Sequence, residues 1–205
     1  MRTFRKRKRN FAVIAATAGG GPLLISINMT TGKKNIILTQ HFQAPCGVLV
    51  LGSIDDQLCL CDWQVEPHSS HVDQRLKRML QAEIRQGASA VTERAAEELR
   101  EYFAGQRSQF DIPLHLVGTP FQLSVWHSLL DIPYGQTRSY ADIARRIGRP
   151  SAVRAVANAN GANAISIFVP CHRVIGSDHS LTGYGGGLDA KRYLLTLERR
   201  TPLKL

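Results

Sequence analysis

From Asn35 onward the chain opens with short runs in which apolar and polar positions alternate: Ile36 to Phe42, Gly47 to Leu51 and Leu58 to Val65. A period of two puts successive side chains on opposite faces, so each run predicts a strand. In the third run Cys59 and Cys61 share one face and read as strand packing rather than metal ligation. The period then lengthens. Val72 to Gln86 and Thr92 to Ala104 repeat every three to four residues and predict helices. The second has Glu93, Glu97 and Glu98 early and stops before Gly105, as the helix dipole and C-cap preferences favour. Strands followed by helices, without β–α–β alternation, predict a small α/β or α+β scaffold over residues 36–117.

Gly118-Thr119-Pro120 opens a second region, residues 118–205. Thr119 is suited to cap a helix and Pro120 to begin it. Phe121, Val125, Trp126 and Leu129 form its apolar stripe, and Pro133-Tyr134-Gly135 stops it. Ser139-Tyr140-Ala141-Asp142 predicts a capping-box start for a short helix to Ile147. After the turn Gly148-Arg149-Pro150, Ser151 is expected to cap another helix running to about Asn160. Two short helices joined by a glycine-containing turn predict a helix-turn-helix. Its second helix is slim: Ala152, Ala155, Val156, Ala157 and Ala159 surround a single charge, Arg154. Such a face suits packing inside the domain, and equally suits close approach to DNA with an arginine wedge in the base stack. A final helix is predicted from Leu188 to Arg199. The fold class is therefore α/β (α+β): a small N-terminal sheet-plus-helices domain, then a mostly helical C-terminal domain.

Composition narrows the class. With 205 residues and 43% hydrophobic content, the chain has material for a substantial core. Four cysteines, at 46, 59, 61 and 171, are too few and too irregular for a disulfide scaffold, so a reducing compartment is expected. The net charge of +10 is unevenly spread. Residues 1–35 hold eight basic and no acidic residues, residues 36–117 hold seven and eleven, and residues 118–205 hold eleven and five. The surplus in the last region predicts a surface facing phosphates. Residues 1–35 superficially resemble a signal peptide, with a basic stretch before Phe11 to Ala18, but read as a flexible basic tail; export is not expected. No run is long and apolar enough to span a membrane.

The candidate chemistry centres on Val169-Pro170-Cys171-His172-Arg173-Val174-Ile175-Gly176. A thiol attacks only as thiolate, and its pKa of about 8.5 falls beside cationic or imidazole neighbours. Here a histidine and an arginine follow directly, which predicts a lowered thiol pKa. Pro170 restrains the backbone, so the thiol is presented after a short apolar strand, Ile165 to Val169. On these residues alone a buried structural cysteine fits as well. Leu181 to Gly187 is a glycine-rich loop whose backbone can approach a planar ligand, with Tyr184 available to stack. Glu198, an acid near a helix C-terminus, opposes the dipole and needs a specific partner. Cys171, His172 and Glu198 match a thiol–base–orienter chain, and Asn163 and Asn160 flank the turn that leads into Cys171.

At these residues the sequence resembles the O6-alkylguanine-DNA alkyltransferases (methylated-DNA–protein-cysteine methyltransferases). Pro170-Cys171-His172-Arg173-Val174 matches their signature, and Gly183-Tyr184-Gly185-Gly186-Gly187 resembles their glycine–tyrosine loop. The spacing from Tyr140 through Arg154, Asn163 and Cys171 to Glu198 agrees without a gap, and the likeness covers about residues 36–199. The resemblance implies that Cys171 is nucleophile and permanent alkyl acceptor. It implies that His172 takes the thiol proton through a water, with Glu198 polarising the imidazole, and that Asn163 holds the turn. Arg154 would replace the extruded base, Tyr140 would contact the guanine, and Tyr184 would line the pocket. Backbone groups at Val174 and Gly185 would read the base edge.

The implied partner is double-stranded DNA carrying O6-alkylguanine, or also O4-methylthymine, bound through the minor groove with little sequence preference. The protein would act as a monomer, without cofactor. A cytoplasmic location follows, nucleoid-associated in a bacterium and nuclear in a eukaryote. Some relatives carry zinc in the N-terminal domain; the matching positions here include Ile54 and Cys59, so no metal is expected. Two other function classes compete. One is a lesion sensor that flips the base and recruits repair factors, but relatives of that kind lack the cysteine. The other is a cysteine hydrolase, disfavoured because His172 adjoins Cys171 in sequence and no oxyanion-hole motif is evident.

Overall fold

The computed structural model describes residues 34–200, without the side chain of Arg200. The basic segment read from the sequence at residues 1–35 lies almost wholly outside them. The first described elements are strands β1 (Asn35–Ala44), β2 (Gly47–Ile54) and β3 (Gln57–Trp63), joined as antiparallel neighbours by tight turns. Alternation buries Ile37 and Thr39 on one face of β1, and past His41 the burial changes to Phe42 and Ala44 on the opposite face. β2 and β3 are buried more continuously because helix and C-terminal segments cover them.

The expected helix over Val72–Gln86 is two elements instead. Helix α1 (His68–Leu80) begins earlier and ends where Gln81 turns left-handed at φ 48°. Ala82–Gln86 is strand β4, paired parallel to β1, giving the sheet order β3-β2-β1-β4. The first and fourth strands therefore enclose a crossover, contrary to the expected absence of β–α–β connection. The misreading has a physical cause. Val72, Leu76 and Leu80 run at helical spacing straight into Ala82 and Ile84, and no glycine or proline marks the break. Only the open edge of β1, with its unpaired backbone groups, selects the strand. Helix α2 (Ala90–Phe103) follows, capped by Ser89, whose hydroxyl and the Thr92 side chain form a reciprocal capping box.

Helix α3 (Pro120–Leu130) starts as expected, with Thr119 as cap and Pro120 first. A two-residue strand β5 (Arg138–Ser139) leads into α4 (Tyr140–Arg146), again through a capping box, Ser139 with Asp142. Gly148 takes φ +70° in the turn, and α5 (Val153–Gly161) packs on α3 and α4 as the second helix of the helix-turn-helix. Ser151 does not cap α5. Ala152 occupies the cap position without a side-chain bond, because the turn displaces the helix start by one residue.

Ile165 to Val169 is not a strand but a tight turn. Its backbone makes isolated bridges, Ile165 with Cys61 and Ser166 with Val169, and Ile167 sits at φ 73°. A β-branched residue in the left-handed region is strained by about 1–3 kcal/mol. The turn is held closed by Val169 N–H to the Ile165 carbonyl (2.9 Å) and by Asn163, whose Nδ2 donates to the Val169 carbonyl and whose Oδ1 accepts from Ile165 N–H. Its apolar composition satisfies burial, not pairing. Cys171–Arg173 then forms one 3-10 turn, and β6 (Val174–Ile175) pairs parallel to β5. Helix α6 (Gly187–Arg200) completes the described chain. The β5–β6 pairing ties the backbone just after the thiol to the start of α4, which carries Tyr140.

Candidate active site

Cys171 is buried, and Asn163 Nδ2 donates to its Sγ at 3.1 Å. Behind it, His172 is fully buried with Nε2 2.7 Å from Glu198 Oε1. Glu198 is the hub of the arrangement. Its carboxylate also accepts from Arg173 (Nε to Oε2, 2.9 Å), from the Tyr102 hydroxyl (2.8 Å) and from Gly135 N–H (3.0 Å). Burial opposes that charge, but the bonds and charges of His172 and Arg173 outweigh it and hold the carboxyl well below its ordinary range. The partner that Glu198 required is thus a set of four residues.

The neighbours of the thiol do not lower its pKa. Burial dominates and pushes Cys171 up to about 11, opposed by the Asn163 and Ser166 hydrogen bonds and by the Lys191 charge. The expectation fails because Arg173 is turned away: it pairs with Glu198 and donates to the Ile132 carbonyl. His172, held below its usual pKa by burial despite Glu198, is neutral. The resting site is therefore a neutral thiol near a neutral imidazole whose Nδ1 has no hydrogen-bond partner among the described residues.

Tyr140, Arg154, Tyr184 and Gly185 line one cavity of about 510 Å³, together with residues of α5 and of the loop before α6. Arg154 is exposed at this cavity, and the Tyr140 hydroxyl donates to the Thr182 carbonyl at 3.2 Å. Cys171, His172, Asn163 and Glu198 are buried and do not line the cavity, but Cys171 lies near enough to Tyr140 and Tyr184 of its wall to act on them electrostatically. Val174 is buried too, and its carbonyl accepts from Lys191 Nζ at 2.6 Å.

Sequence reading missed several residues around the site. Lys191, on α6, is fully buried, donates to the Val174 and Thr182 carbonyls, and lies 5.9 Å from the centre of the Tyr140 ring. Burial lowers its pKa to about 8. Its spacing from Glu198, two helical turns along the face that buries Leu194, was the available signal. Asp62, Trp63, His68 and Tyr102 come from the half read as scaffold, where nothing in local pattern marks them. That half supplies side chains to the site as well as support.

The arrangement defines a class of protein: a buried cysteine with a histidine–carboxylate pair, served by a cavity that opens beside a helix-turn-helix. A family model, 6-O-methylguanine DNA methyltransferase, DNA binding domain, matches residues 120–200. A methylated-DNA–protein-cysteine methyltransferase of Mycolicibacterium paratuberculosis is 61% identical over 106 residues, covering 52% of this chain and 64% of that protein. One from Mycobacterium bovis is 58% identical over 112 residues, covering 54% and 68%. The chain thus spans about two thirds of the length of these curated relatives. The crystal structure of Mycobacterium tuberculosis O6-methylguanine methyltransferase superposes with a TM-score of 0.67 at 43% identity, over 80% of this chain and 94% of that one. A DNA complex of the M. tuberculosis protein gives 0.68 at 42% identity, over 82% and 95%. The chain belongs to the methylated-DNA–protein-cysteine methyltransferase family. Among the described residues, no helix is long and apolar enough to cross a membrane.

Proposed function

We propose that this protein repairs O6-alkylguanine in double-stranded DNA by moving the alkyl group to Cys171, irreversibly and once per molecule. The observation that carries the reading is a buried thiol held by Asn163 behind a cavity whose lining includes Tyr140 and Arg154 of the helix-turn-helix. An alkylated guanine is hidden in the duplex and must be extruded, which costs a few kcal/mol and less for a damaged pair. In this reading α5 approaches the minor groove and Arg154 enters the stack in place of the extruded base. Tyr140 contacts the guanine, Tyr184 lines the pocket, and peptide groups of Val174 and Gly185 read the base edge. Only the extruded base is read at its edge, while α5 meets the flanking duplex through backbone and groove shape, so little preference for flanking sequence is expected.

The chemistry follows from the burial of the groups. His172 takes the thiol proton through a bridging water, and the resulting imidazolium is stabilised by Glu198 at 2.7 Å. Asn163 and Ser166 favour the thiolate against its burial. A new Sγ–carbon bond forms as the carbon–O6 bond breaks. The electron pair of that bond leaves on the guanine, which takes up a proton to become the neutral base. The thioether is stable, so turnover ends there and no cofactor is required.

After incubation with excess duplex carrying O6-methylguanine, the intact protein is expected to gain one methyl increment of about 14 daltons, mapped to the Cys171 peptide. Disappearance of the lesion without a mass gain would overturn the reading. Replacement of Arg154 separates binding from chemistry. Arg154→Ala is expected to slow repair of duplex DNA at least about tenfold more than reaction with the free base O6-methylguanine, since only the duplex needs its base displaced. Equal losses on the two substrates would assign Arg154 a structural role.

A further inference from the structure

One wall of the cavity comes from outside the half that carries the thiol. His68, the first residue of α1, lines the cavity with Tyr140, Arg154 and Tyr184. Its Nε2 lies 3.0 Å from Oδ2 of the buried Asp62. Asp62 Oδ1 is 3.4 Å from the Ser166 hydroxyl, and Ser166 also hydrogen-bonds toward Cys171. A line of polar contacts therefore runs from the nucleophile through Ser166 and Asp62 to an imidazole on the cavity surface. Asp62 raises the His68 pKa although burial opposes it, and the two side chains face each other at ion-pair distance.

The same ring nitrogen also shapes the glycine loop. A Cβ on Gly185 would stand 2.6 Å from His68 Nε2, inside any ordinary contact. A Cβ on Gly186 would likewise stand 2.6 Å from the Trp63 ring, whose Nε1 donates to the Tyr184 hydroxyl at 2.9 Å. The loop that faces the base is thus moulded on two side chains of the N-terminal half, and the lack of side chains at Gly185 and Gly186 is what admits them.

We propose that His68, fixed by Asp62, is a specificity-determining residue that closes the pocket beside Gly185 and limits the size of the O6 substituent delivered to Cys171. This rests on the alkyl-transfer reading above. The first carbon of the substituent must reach Sγ, and atoms beyond it meet the groups that lie between the thiol and the cavity wall, namely Ser166, Asp62 and His68. A methyl group ends before that wall. A benzyl ring needs the volume of the imidazole and presents an apolar edge to a buried carboxylate. The ring does not swing aside freely, because that would strip Asp62 of its partner in a buried setting.

The test compares rate constants for alkyl transfer from two duplexes of one sequence, carrying O6-methylguanine or O6-benzylguanine. In His68→Ala the benzyl-to-methyl rate ratio is expected to rise about tenfold over wild type, the scale on which closed pockets discriminate one or two methylenes. A ratio within about twofold of wild type would overturn the proposal. His68→Asn shortens the side chain but keeps a donor for Asp62, and the same rise is expected there, so misfolding of the alanine variant does not remove the test. Gly185→Ala is expected to slow methyl transfer, and less so in a His68→Ala background; equal losses in both backgrounds would overturn the contact. If wild type gained mass from neither duplex, the alkyl-transfer reading itself would fail, an outcome distinct from an unchanged ratio.

Discussion

Cys171→Ala is expected to bind O6-methylguanine DNA and leave it unrepaired. The thiol is the only group in the proposed chemistry whose loss removes the acceptor atom itself, so alkyl transfer falls to zero rather than by a factor. The fold should survive. Asn163 loses the bond to Sγ but keeps the Val169 carbonyl at 2.9 Å and Ile165 N–H at 3.0 Å, so its turn stays satisfied. Loss of the Asn163 and Ser166 bonds to sulfur and of a small side chain is worth about 1–3 kcal/mol. The measurement pairs fluorescence anisotropy on a lesion-containing duplex with intact-protein mass. Retained binding with no mass gain is the expected pair of results. A mass gain at another cysteine would relocate the nucleophile. Cys59, raised to about 12, and Cys46, raised to about 11, lack the Asn163 and Ser166 bonds that favour the Cys171 thiolate.

Glu198→Gln should damage stability and rate together. The variant keeps the shape but loses the charge on which Arg173 and His172 both rest, and Arg173 is left buried without its counter-charge. Removing one partner of a buried ion pair costs about 3–5 kcal/mol. For a chain of this size that lowers Tm by roughly 6–20 °C. Alkyl transfer is expected to fall about 10²-fold or more, because the imidazolium formed on proton transfer loses its stabilising carboxylate. The pH dependence carries an independent sign. Glu198 is held well below its ordinary pKa in the fold, so below about pH 5 the unfolded chain binds a proton that the folded chain refuses. That stabilisation is present at neutral pH and is lost as the medium is acidified below the unfolded value. The wild-type urea midpoint should therefore drop more steeply below about pH 5 than that of Glu198→Gln. Parallel slopes would mean that the carboxylate is not the group responsible.

The helices of the catalytic half were legible because their start signals are local. Thr119-Pro120 and Ser139 with Asp142 satisfy orphan N–H groups with residues three positions away, and the structure uses them as read. Tyr140, Arg154, Tyr184 and Gly185 do share one cavity, and His172 does meet Glu198. Where the reading failed, the deciding partner was distant. Strand β4 exists because β1 offers an open edge more than forty residues earlier, and the Ile165–Val169 segment turns because Cys61 and Asn163 take its backbone bonds.

The sequence by itself singled out Cys171 as the candidate nucleophile, the capped helices that frame it and the acid that had to find a partner, since each rests on residue chemistry, motif spacing or contacts a few positions apart. The tertiary structure decided the thiol's protonation state and the composition of the pocket wall. Burial raises the Cys171 pKa and Arg173 is spent on Glu198, neither of which a neighbour in sequence reveals. His68, with the buried Asp62 beside it, reaches the cavity only because the sheet folds against the loop that precedes α6, and that juxtaposition depends on packing between segments more than a hundred residues apart.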